Sequence, residues 1–350
     1  MLHIGIDCRF GGTLSGLGSY TRALVTHILR RNDPIRYVLF VRSADEEWIR
    51  GLQGAPTTYR LQPTAHAHYS VSEQTLFPLA IRRSGIDLFF SLHFNVPLVC
   101  PVPFVATIHD LILHRYPNEA PRWKRMAYRS VMRHTVTNAR ALIAVSRFVA
   151  GEIVETYGQY VASQVTVIPE AVDSRFSRRS DREQEEVLLK YNIRKPFFFS
   201  VGNAKEHKNV RMLMTAFKNL HAPEKTLILV TSGREADLLE YGQGIRRLSS
   251  IPEEDLPALY SAAEAFVTAS LYEGFCLPIA EARACGCPII ALNIGVMPEV
   301  IGGDGVLVEA TTEALTRALR SPLPPSRGGG RRRWEMVAEE TAQRLLTARS

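Results

Sequence analysis

Hydrophobic positions along the chain alternate between short continuous runs and longer segments of helical spacing. In the first half, the runs are rich in β-branched and aromatic residues and predict strands at 3–8, 37–41, 88–90, 104–108, 142–145 and 165–168. Between them, apolar residues recur every three or four positions and predict helices at 19–31, 72–84, 121–139 and 147–157. Such alternation is typical of βαβ units with a parallel sheet.

A second series of the same kind predicts strands at 197–202, 226–230, 265–268, 288–291 and 305–308. The charged stretch between the two series lacks strand spacing. We therefore expect a first domain at 1–172, a linker at 173–196, a second domain at 197–332 and a terminal helix at 333–350. The segment 321–333, rich in Pro, Gly and Arg, is predicted to be a loop. Ligands of two doubly wound α/β domains are expected beyond the carboxyl ends of the strands, in a cleft.

Composition adds that the chain is ordinary globular protein, with 46% hydrophobic and 22% charged residues among 350. No apolar run reaches the ~18 residues of a membrane helix. The first residues enter a strand pattern without a basic region, so we expect no signal peptide and a cytoplasmic protein. Five cysteines without framework spacing indicate reduced thiols. Cys285 and Cys287 form a C-x-C without a second cluster, which favours structural thiols over metal ligands.

Charge narrows the choice of partners. The net charge is +7 and the pI is about 9.2, which allows nucleic acid, anionic lipid or phosphorylated small molecules as partners. No nucleic-acid motif is present, and the basic residues are spread among apolar ones. A phosphate-bearing ligand or an anionic membrane surface is therefore favoured over DNA.

The stretch YEGFCLPIAE, residues 272–281, carries two acids on either side of a turn. Pro278 suits the first turn of a helix, and we expect Glu281 in that same turn, where the helix dipole favours an acid. The N–H groups of the preceding residues would then point toward an anion. Glu273 and Glu281 could contact different parts of one ligand. The simpler alternative is a capping acid plus a surface acid.

The surroundings of this stretch resemble a known family over most of the chain. Six segments, in chain order, carry the resemblance: SGLGSYTRAL, VATIHDLILHRYP, RALIAVSRFVAGEIVETYG, VTVIPEAVDSRF, PEEDLPALYSAAEAFV and SLYEGFCLPIAEARACGCPIIALNIGVMPEVIGGDGVLV. Together they are similar to retaining glycosyltransferases of family 4, whose E-x7-E motif matches Glu273 and Glu281. The resemblance implies a GT-B fold, in which two Rossmann-like domains face each other across a cleft. A C-terminal helix, here with Trp334, would cross back to the first domain.

The resemblance also implies roles for the residues of this turn. Glu281 would bind the ribose hydroxyls of a nucleotide, and Glu273 would contact the donor sugar. The phosphates would be held by the backbone amides of the turn, formed by Gly274, Phe275, Cys276 and Leu277. Cys276 stands where a glycine is common in the family, which narrows the expected pocket.

The segment VGNAKEHKNV, residues 201–210, matches the part of the family that offers an arginine and a lysine to the diphosphate. Lys208 occupies the lysine position, and Asn203 occupies the arginine position. Lys205 could replace the missing arginine. A lysine near a pyrophosphate neutralises charge on the leaving group. The alternative is a solvated basic turn.

In the first domain, His109 and Asp110 follow the predicted strand at 104–108. In the family this histidine lies against the donor sugar; a buried structural histidine is the alternative. Asp110 would support the loop or face the acceptor. Gly16 and Gly18 match the family's glycine-rich loop, and they would let the backbone approach phosphate or sugar closely.

These matches imply a retaining enzyme that transfers a hexose from a nucleoside diphosphate sugar to a hydroxyl of a glycan or lipid-linked glycan. The expected catalytic residues are His109, Lys208 and Glu273. The pattern G-N-x-K-x-H-K-N suggests GDP-mannose as donor. No D-x-D occurs in the sequence, so neither a metal nor another cofactor is expected. Three alternatives stay open: a GT-B nucleotide-sugar epimerase, a phosphorylase-like enzyme, and a non-catalytic binding subunit.

The stretch PRWKRMAYRSVMRH, residues 121–134, suggests a membrane contact. On a helix, four arginines form one cationic stripe: Arg122, Arg125, Arg129 and Arg133. Trp123 lies on a neighbouring face. Such a helix can lie on an anionic lipid surface. The alternative is that these charges form only the solvated face of a helix that packs on its own sheet.

Overall fold

The computed structural model describes residues 1–13, 15–324, 326 and 332–348. Contacts divide the chain into two compact units, Met1–Glu170 with Arg332–Ser350 and Ala171–Arg331. Residues 325 and 327–331, which belong to the predicted loop at 321–333, lie outside the described residues.

The first unit contains a parallel sheet of seven strands in the order β3-β2-β1-β4-β5-β6-β7. The chain forms β1 first, adds β2 and β3 on one side, and then crosses to β4 on the other side of β1. Every residue of β4, β5 and β6 is buried, and Ile4, Ile6, Phe89 and Phe90 are completely buried. The strands are β1 Leu2–Asp7, β2 Ile35–Val41, β3 Tyr59–Pro63, β4 Leu88–Ser91, β5 Phe104–Ile108, β6 Ala141–Ala144 and β7 Val165–Val167.

Helices connect these strands, and serine hydroxyls cap several of them. Ser15, Ser70 and Ser146 each accept a hydrogen bond from a backbone N–H of the first turn that follows. The predicted helix at 72–84 is divided in two at Leu76. The helices are α1 Gly16–Leu29, α2 Glu47–Arg50, α3 Val71–Thr75, α4 Phe77–Arg83, α5 Ile112–Arg115, α6 Arg122–Asn138 and α7 Arg147–Tyr157.

The second unit repeats the plan with a parallel sheet of six strands in the order β10-β9-β8-β11-β12-β13. Here too the chain starts in the middle of the sheet, at β8, adds β9 and β10 on one side, and then crosses to β11 on the other side of β8. The strands are β8 Phe197–Val201, β9 Thr226–Val230, β10 Ile245–Leu248, β11 Ala265–Thr268, β12 Ile289–Leu292 and β13 Val306–Val308. The helices are α8 Asp181–Lys190, α9 Val210–Lys218, α10 Arg234–Asp237, α11 Leu256–Ala262, α12 Leu277–Ala284, α13 Met297–Ile301 and α14 Thr312–Arg320.

The last helix, α15 Trp334–Thr347, belongs to the first unit, as the resemblance implied. Its Trp334 ring packs edge-on against Tyr20 of α1, with the ring centres 5.6 Å apart. Arg31, just beyond α1, forms an ion pair with Glu339. The two parallel sheets and these helices confirm the predicted α/β class with two Rossmann-like domains.

The structure also differs from the sequence-based expectation at two edge strands and in the segment expected to be a linker. Strands β3 and β10 were not predicted, because each lies at a sheet edge and mixes polar residues with apolar ones. The segment expected to be a linker contains the helix α8. This helix begins with a capping box formed by Ser180 and Glu183, and it packs on α11. The sequence did not predict this helix, because only Gln184 and Leu188 are buried and its many charged residues leave no apolar face of helical spacing.

Within the described residues, none of the helices combines the length and the apolar character needed to cross a bilayer.

Candidate functional site

The strand order of the second sheet reverses between β8 and β11, and a pocket opens at the carboxyl ends of these strands. Adjacent loops separate at such a reversal, so this is where open α/β sheets bind ligands. Two polar lining residues belong to strands, Ser200 to β8 and Thr268 to β11, and the other polar and thiol groups come from the loops after three strands: Asn203, Lys208, Thr231, Glu273 and Cys276.

Lys208 and Glu273 form an ion pair in this pocket, with 2.5 Å between Nζ and Oε1. Both side chains are largely but not fully buried, 22% and 14% exposed. A backbone hydrogen bond joins their loops, because the N–H of Leu271 donates to the carbonyl of His207 at 2.7 Å. The structure thus brings together two predicted site residues that lie 65 positions apart in the sequence.

Cys276 immediately precedes α12 and adopts a left-handed backbone conformation, with φ 68° and ψ 63°. This region suits glycine and costs other residues energy. The side chain is buried, and burial raises the pKa of the thiol well above 9, with the charge of Glu273 adding to the effect. Cys276 therefore stays a neutral thiol in the pocket wall and is not a nucleophile at neutral pH.

Glu281 was expected in the first turn of the helix, and that expectation is wrong. Helix α12 begins at Leu277, with Pro278 in its first turn, so Glu281 is the fifth residue and the first turn contains no acid. The Tyr260 hydroxyl donates to Glu281 Oε2 at 2.9 Å. Burial raises the pKa of Glu281 to about 7, although the hydrogen bond from Tyr260 acts in the opposite direction. Of the two glutamates, Glu273 lines the pocket and Glu281 is not among its described lining residues.

The remaining predicted donor-binding residues of the second unit lie on the two turns that frame this pocket. Asn203 and Lys205 are exposed on the turn after β8, and the N–H of Lys205 donates to Asn203 Oδ1 at 3.3 Å. Gly274, Phe275 and Leu277 lie half-buried on the turn into α12.

In the first unit, Gly16 opens α1 and Gly18 follows in its first turn. A Cβ on Gly18 would lie 2.1 Å from the carbonyl oxygen of Thr13, so only glycine fits there. A Cβ on Gly16 would have no other atom within 4 Å. The N–H of Gly18 donates to the hydroxyl of Ser15, at 3.2 Å. The glycine-rich loop is therefore held tightly at Gly18 and open at Gly16.

His109 follows β5, and both of its ring nitrogens have partners. Nδ1 lies 3.0 Å from Glu170 Oε1, and Nε2 lies 2.9 Å from the carbonyl oxygen of Leu92. Asp110 accepts a hydrogen bond from the N–H of Ile112 at 3.0 Å, which matches the expected loop-supporting role.

A buried ionic network lies in the first unit, at the carboxyl end of β1. Arg9 is completely buried, and its Nη2 contacts Asp7 Oδ2 at 2.6 Å and Glu73 Oε1 at 2.7 Å. Its Nη1 donates to the carbonyl of His66. Asn95 donates to the other oxygen of Glu73 at 2.6 Å. The network joins the loop after β1 to the segments that precede α3 and follow β4.

Sequence reasoning missed two residues that hold site groups in place, Tyr260 and Glu170. Both lie inside segments that carried the family resemblance, but neither received a role. Glu170 follows β7, where a polar residue after a short apolar strand could have marked it. Tyr260 is buried on α11 among phenylalanines, and its spacing looks like that of an ordinary core residue.

Two protein families match the two halves of the chain. Residues 14–176 match Glycosyltransferase Family 4, and residues 181–326 match Glycosyl transferases group 1. Together, the fold and these matches support a GT-B glycosyltransferase.

Among curated relatives, the chain is similar to O-antigen chain mannosyltransferase B of Escherichia coli, with 33% identity over 219 residues. That alignment covers 59% of this chain and 57% of the relative. MMP alpha-(1->4)-mannosyltransferase of Mycolicibacterium hassiacum is 28% identical over 271 residues, covering 68% of this chain and 64% of the relative. The chain thus spans less than two thirds of the length of both relatives.

Solved structures of the same fold include sucrose-phosphate synthase from Thermosynechococcus elongatus, with a TM-score of 0.74 at 20% identity over the full length of both chains. Anabaena Alr3699/HepE, solved in complex with UDP and glucose, also has a TM-score of 0.74, at 16% identity, over 99% of this chain and 100% of that one. At these identities the likeness concerns the fold.

Proposed function

We propose that the protein is a retaining glycosyltransferase that moves mannose from GDP-mannose to a hydroxyl of a glycan or lipid-linked glycan. The observation that carries the proposal is the Lys208–Glu273 pair at the strand reversal of the second sheet, beside the start of α12. A cation and an acid in one pocket suit a diphosphate and the sugar attached to it. The names of both curated relatives, which are mannosyltransferases, support the choice of sugar.

The proposed roles follow the chemistry of each group. Lys208 neutralises the diphosphate, and the N–H groups ahead of α12 add hydrogen bonds to it. Glu281 accepts hydrogen bonds from the ribose hydroxyls, and Glu273 contacts the sugar. The ammonium group of Lys208 and the N–H groups ahead of α12 supply the positive charge that a diphosphate needs. The proposal therefore includes neither metal nor cofactor.

The proposed reaction proceeds on one face of the sugar. The bond between C1 and the phosphate oxygen breaks, and the acceptor oxygen bonds to C1 from the same side. The acceptor's proton passes to the departing phosphate, which leaves as GDP. Glu273 is a poor candidate nucleophile, because its ion pair with Lys208 stabilises the free carboxylate relative to one bonded to the sugar.

Turnover in the presence of an acceptor tests this function. The purified protein is incubated with GDP-mannose, UDP-glucose and ADP-glucose, with and without lipid-linked glycans, and the released nucleoside diphosphate is measured. We expect release from GDP-mannose only when an acceptor is present, with an α-mannoside as product by NMR. Release or epimerisation without acceptor would indicate an epimerase, and binding without turnover would indicate a binding subunit; either result contradicts the proposal.

The same assay tests the role of Lys208. Lys208→Ala should lower kcat by roughly 10²–10³, because charge on the leaving group is greatest in the transition state. Lys218→Ala, which removes an exposed lysine of the same unit, is the control. An unchanged kcat with a raised KM would make Lys208 a ground-state binder and refute this role.

The donor base can be identified by thermal stability. A ligand at ~100 times its Kd stabilises the folded protein by roughly 2.7 kcal/mol. GDP should therefore raise the melting temperature more than UDP, dTDP or ADP at equal concentration. A larger shift with one of the other three would correct the choice of base.

We also propose that the outer face of α6 contacts an anionic membrane. Trp123 and Met126 are 66% and 70% exposed on this face, whereas Tyr128 and Met132 are buried. Arg125 is half-buried, but the other basic side chains of the face are exposed: Arg122, Lys124, Arg129 and Arg133. Each basic residue near an anionic surface contributes ~1 kcal/mol.

Co-sedimentation with vesicles tests the membrane contact. The protein should pellet with phosphatidylglycerol vesicles at low salt, and Arg129→Glu/Arg133→Glu should abolish this. Neutral vesicles and the variant Arg82→Glu/Arg83→Glu, on α4, are the controls. Equal pelleting with neutral vesicles, or no pelleting with either kind, would refute the proposed contact between α6 and an anionic membrane.

A further inference from the structure

His109 stands between two hydrogen-bond acceptors. Its Nδ1 lies 3.0 Å from the carboxyl oxygen Oε1 of Glu170, and its Nε2 lies 2.9 Å from the carbonyl oxygen of Leu92. A carbonyl and an ionised carboxylate have no proton to give, so each must receive one from the ring. A neutral imidazole carries a single N–H. Only the imidazolium, which carries two, satisfies both contacts.

One arrangement competes with this one: a neutral His109 that accepts a proton held by Glu170. In water a glutamate loses its proton about two pH units below a histidine, so the proton belongs on the ring unless the surroundings reverse that order. Burial on its own lowers the pKa of His109, but the hydrogen bonds to Glu170 and Leu92 and the charges of Glu170 and Asp110 together outweigh burial, so that the pKa is raised.

The other groups around the ring fit a charged His109. The Tyr20 ring on α1 meets it edge-on at 4.6 Å, and the two planes are perpendicular. The His93 ring, after β4, lies 6.4 Å away and nearly parallel. Burial, assisted by the charge of His109, lowers the pKa of His93 well below its usual value, so His93 is the neutral member of this pair.

We propose that Glu170 is a positioning residue that keeps His109 doubly protonated and fixes its ring between β4 and β7. His109 then contributes a fixed positive charge and cannot take a proton from the acceptor. This catalytic consequence rests on the proposed glycosyltransferase function, whereas the charge state of His109 does not. It agrees with a reaction in which the departing phosphate takes that proton.

Histidine NMR tests the charge state without any substrate. In protein labelled with ¹⁵N and ¹³C at histidine, the His109 resonance is assigned by its loss in His109→Asn and followed from pH 5 to 9. We expect imidazolium shifts at pH values where an ordinary histidine is neutral. Glu170→Gln should move the titration to lower pH, and Glu155→Gln, an exposed glutamate on α7, should not.

Three NMR results would overturn the proposal. The first is a His109 that titrates at or below the ordinary histidine value. The second is a titration that Glu170→Gln leaves in place. The third is a neutral tautomer at pH 7 together with a protonated carboxyl on Glu170. The first and third are measured on the wild-type protein, so they stand even if the variant fails to fold.

The pH profile of turnover gives the functional arm. If His109 acts as a cation, kcat falls as pH rises through its pKa, and Glu170→Gln moves this alkaline limb to lower pH, by about tenfold in rate for each pH unit of displacement. A general base would instead lose activity on the acid side. If no sugar donor is turned over, the proposed function fails, and the NMR titration still decides the charge of His109.

Discussion

Replacing Arg9 by methionine should destabilise the first unit strongly. The side chain is completely buried, and its Nη2 lies within 2.7 Å of carboxyl oxygens on both Asp7 and Glu73. Methionine has similar length and keeps the apolar packing against Phe77, over whose ring the guanidinium lies at 4.0 Å. The substitution therefore removes the charge and leaves two buried carboxylates without their cation.

Removing one partner of a buried ion pair costs about 3–5 kcal/mol. For a domain of 150–250 residues, each kcal/mol shifts the melting temperature by about 2–4 °C, so Arg9→Met should melt about 6–20 °C lower. Urea and thermal denaturation of the full chain at pH 7, followed by near-UV circular dichroism, measure the change. Arg36→Met, on the exposed side of β2, is the control and should stay within about 0.5 kcal/mol.

The loss should also depend on pH, with a defined sign. Burial tends to raise the pKa of Asp7, but the charge of Arg9 and its hydrogen bonds, with the charge of His68, together outweigh burial and lower the pKa. Burial acts in the same way on Glu73, where the hydrogen bond from His68 and the charge of Arg9 are the largest causes that lower the pKa. Folded-state pKa values below the unfolded values stabilise the protein above pH ~4 and stop doing so as the pH falls further. The difference between wild type and Arg9→Met should thus stay nearly constant from pH 7 down to about pH 4 and shrink as the pH falls below ~4. A loss below about 1 kcal/mol at pH 7, or one that grows on acidification, would refute this account.

Three further predictions concern the site loops. Gly18→Ala should cost about 1–3 kcal/mol in urea unfolding, because its Cβ would lie 2.1 Å from Thr13 O, whereas Gly16→Ala should be neutral or stabilising; equal losses would contradict this. Cys276→Gly should be more stable than Cys276→Ala by about 0.5–1.5 kcal/mol, since glycine tolerates φ 68° and both variants lack the thiol; a more stable alanine variant would show that the backbone is not strained. Because the pKa of Glu281 is raised to about 7, GDP binding, measured by calorimetry, should weaken as the pH falls below 7. Tyr260→Phe removes the hydrogen bond that lowers this pKa, so this variant should show the weakening at higher pH. Glu281→Gln should lack the pH dependence; if it keeps it, another group is responsible.

The alternation of apolar runs and helical spacing was enough to predict both sheets. The central strands are mostly apolar, because parallel strands are covered on both faces, and β5, β9 and β11 lie at the predicted residues. The edge strands β3 and β10 could not be predicted from this pattern, because one side of each strand is solvated and carries polar residues. Helix α8 escaped because its stabilisation comes from a capping box and two buried side chains instead of a broad apolar face.

The candidate site divides in the same way. The motif around Glu273, the lysine in the loop after β8 and the histidine after β5 could be selected from the sequence, because they match positions of the family that the chain resembles and they follow predicted strands. The sequence could not place Glu281 correctly, because the start of α12 depends on the left-handed turn at Cys276.

The sequence by itself thus determined the elements, the ends of the strands at which the chemistry lies, and the residue types offered there. Tertiary structure alone decided which of these groups meet. Glu170 reaches His109 across 61 positions, Lys208 reaches Glu273 across 65 and Tyr260 reaches Glu281 across 21. Hydrophobic periodicity depends on which side of an element is buried, so it predicts single elements. Hydrogen bonds and ion pairs depend on distances of about 3 Å between side chains, and those distances exist only after the strands have aligned their carboxyl ends in one sheet.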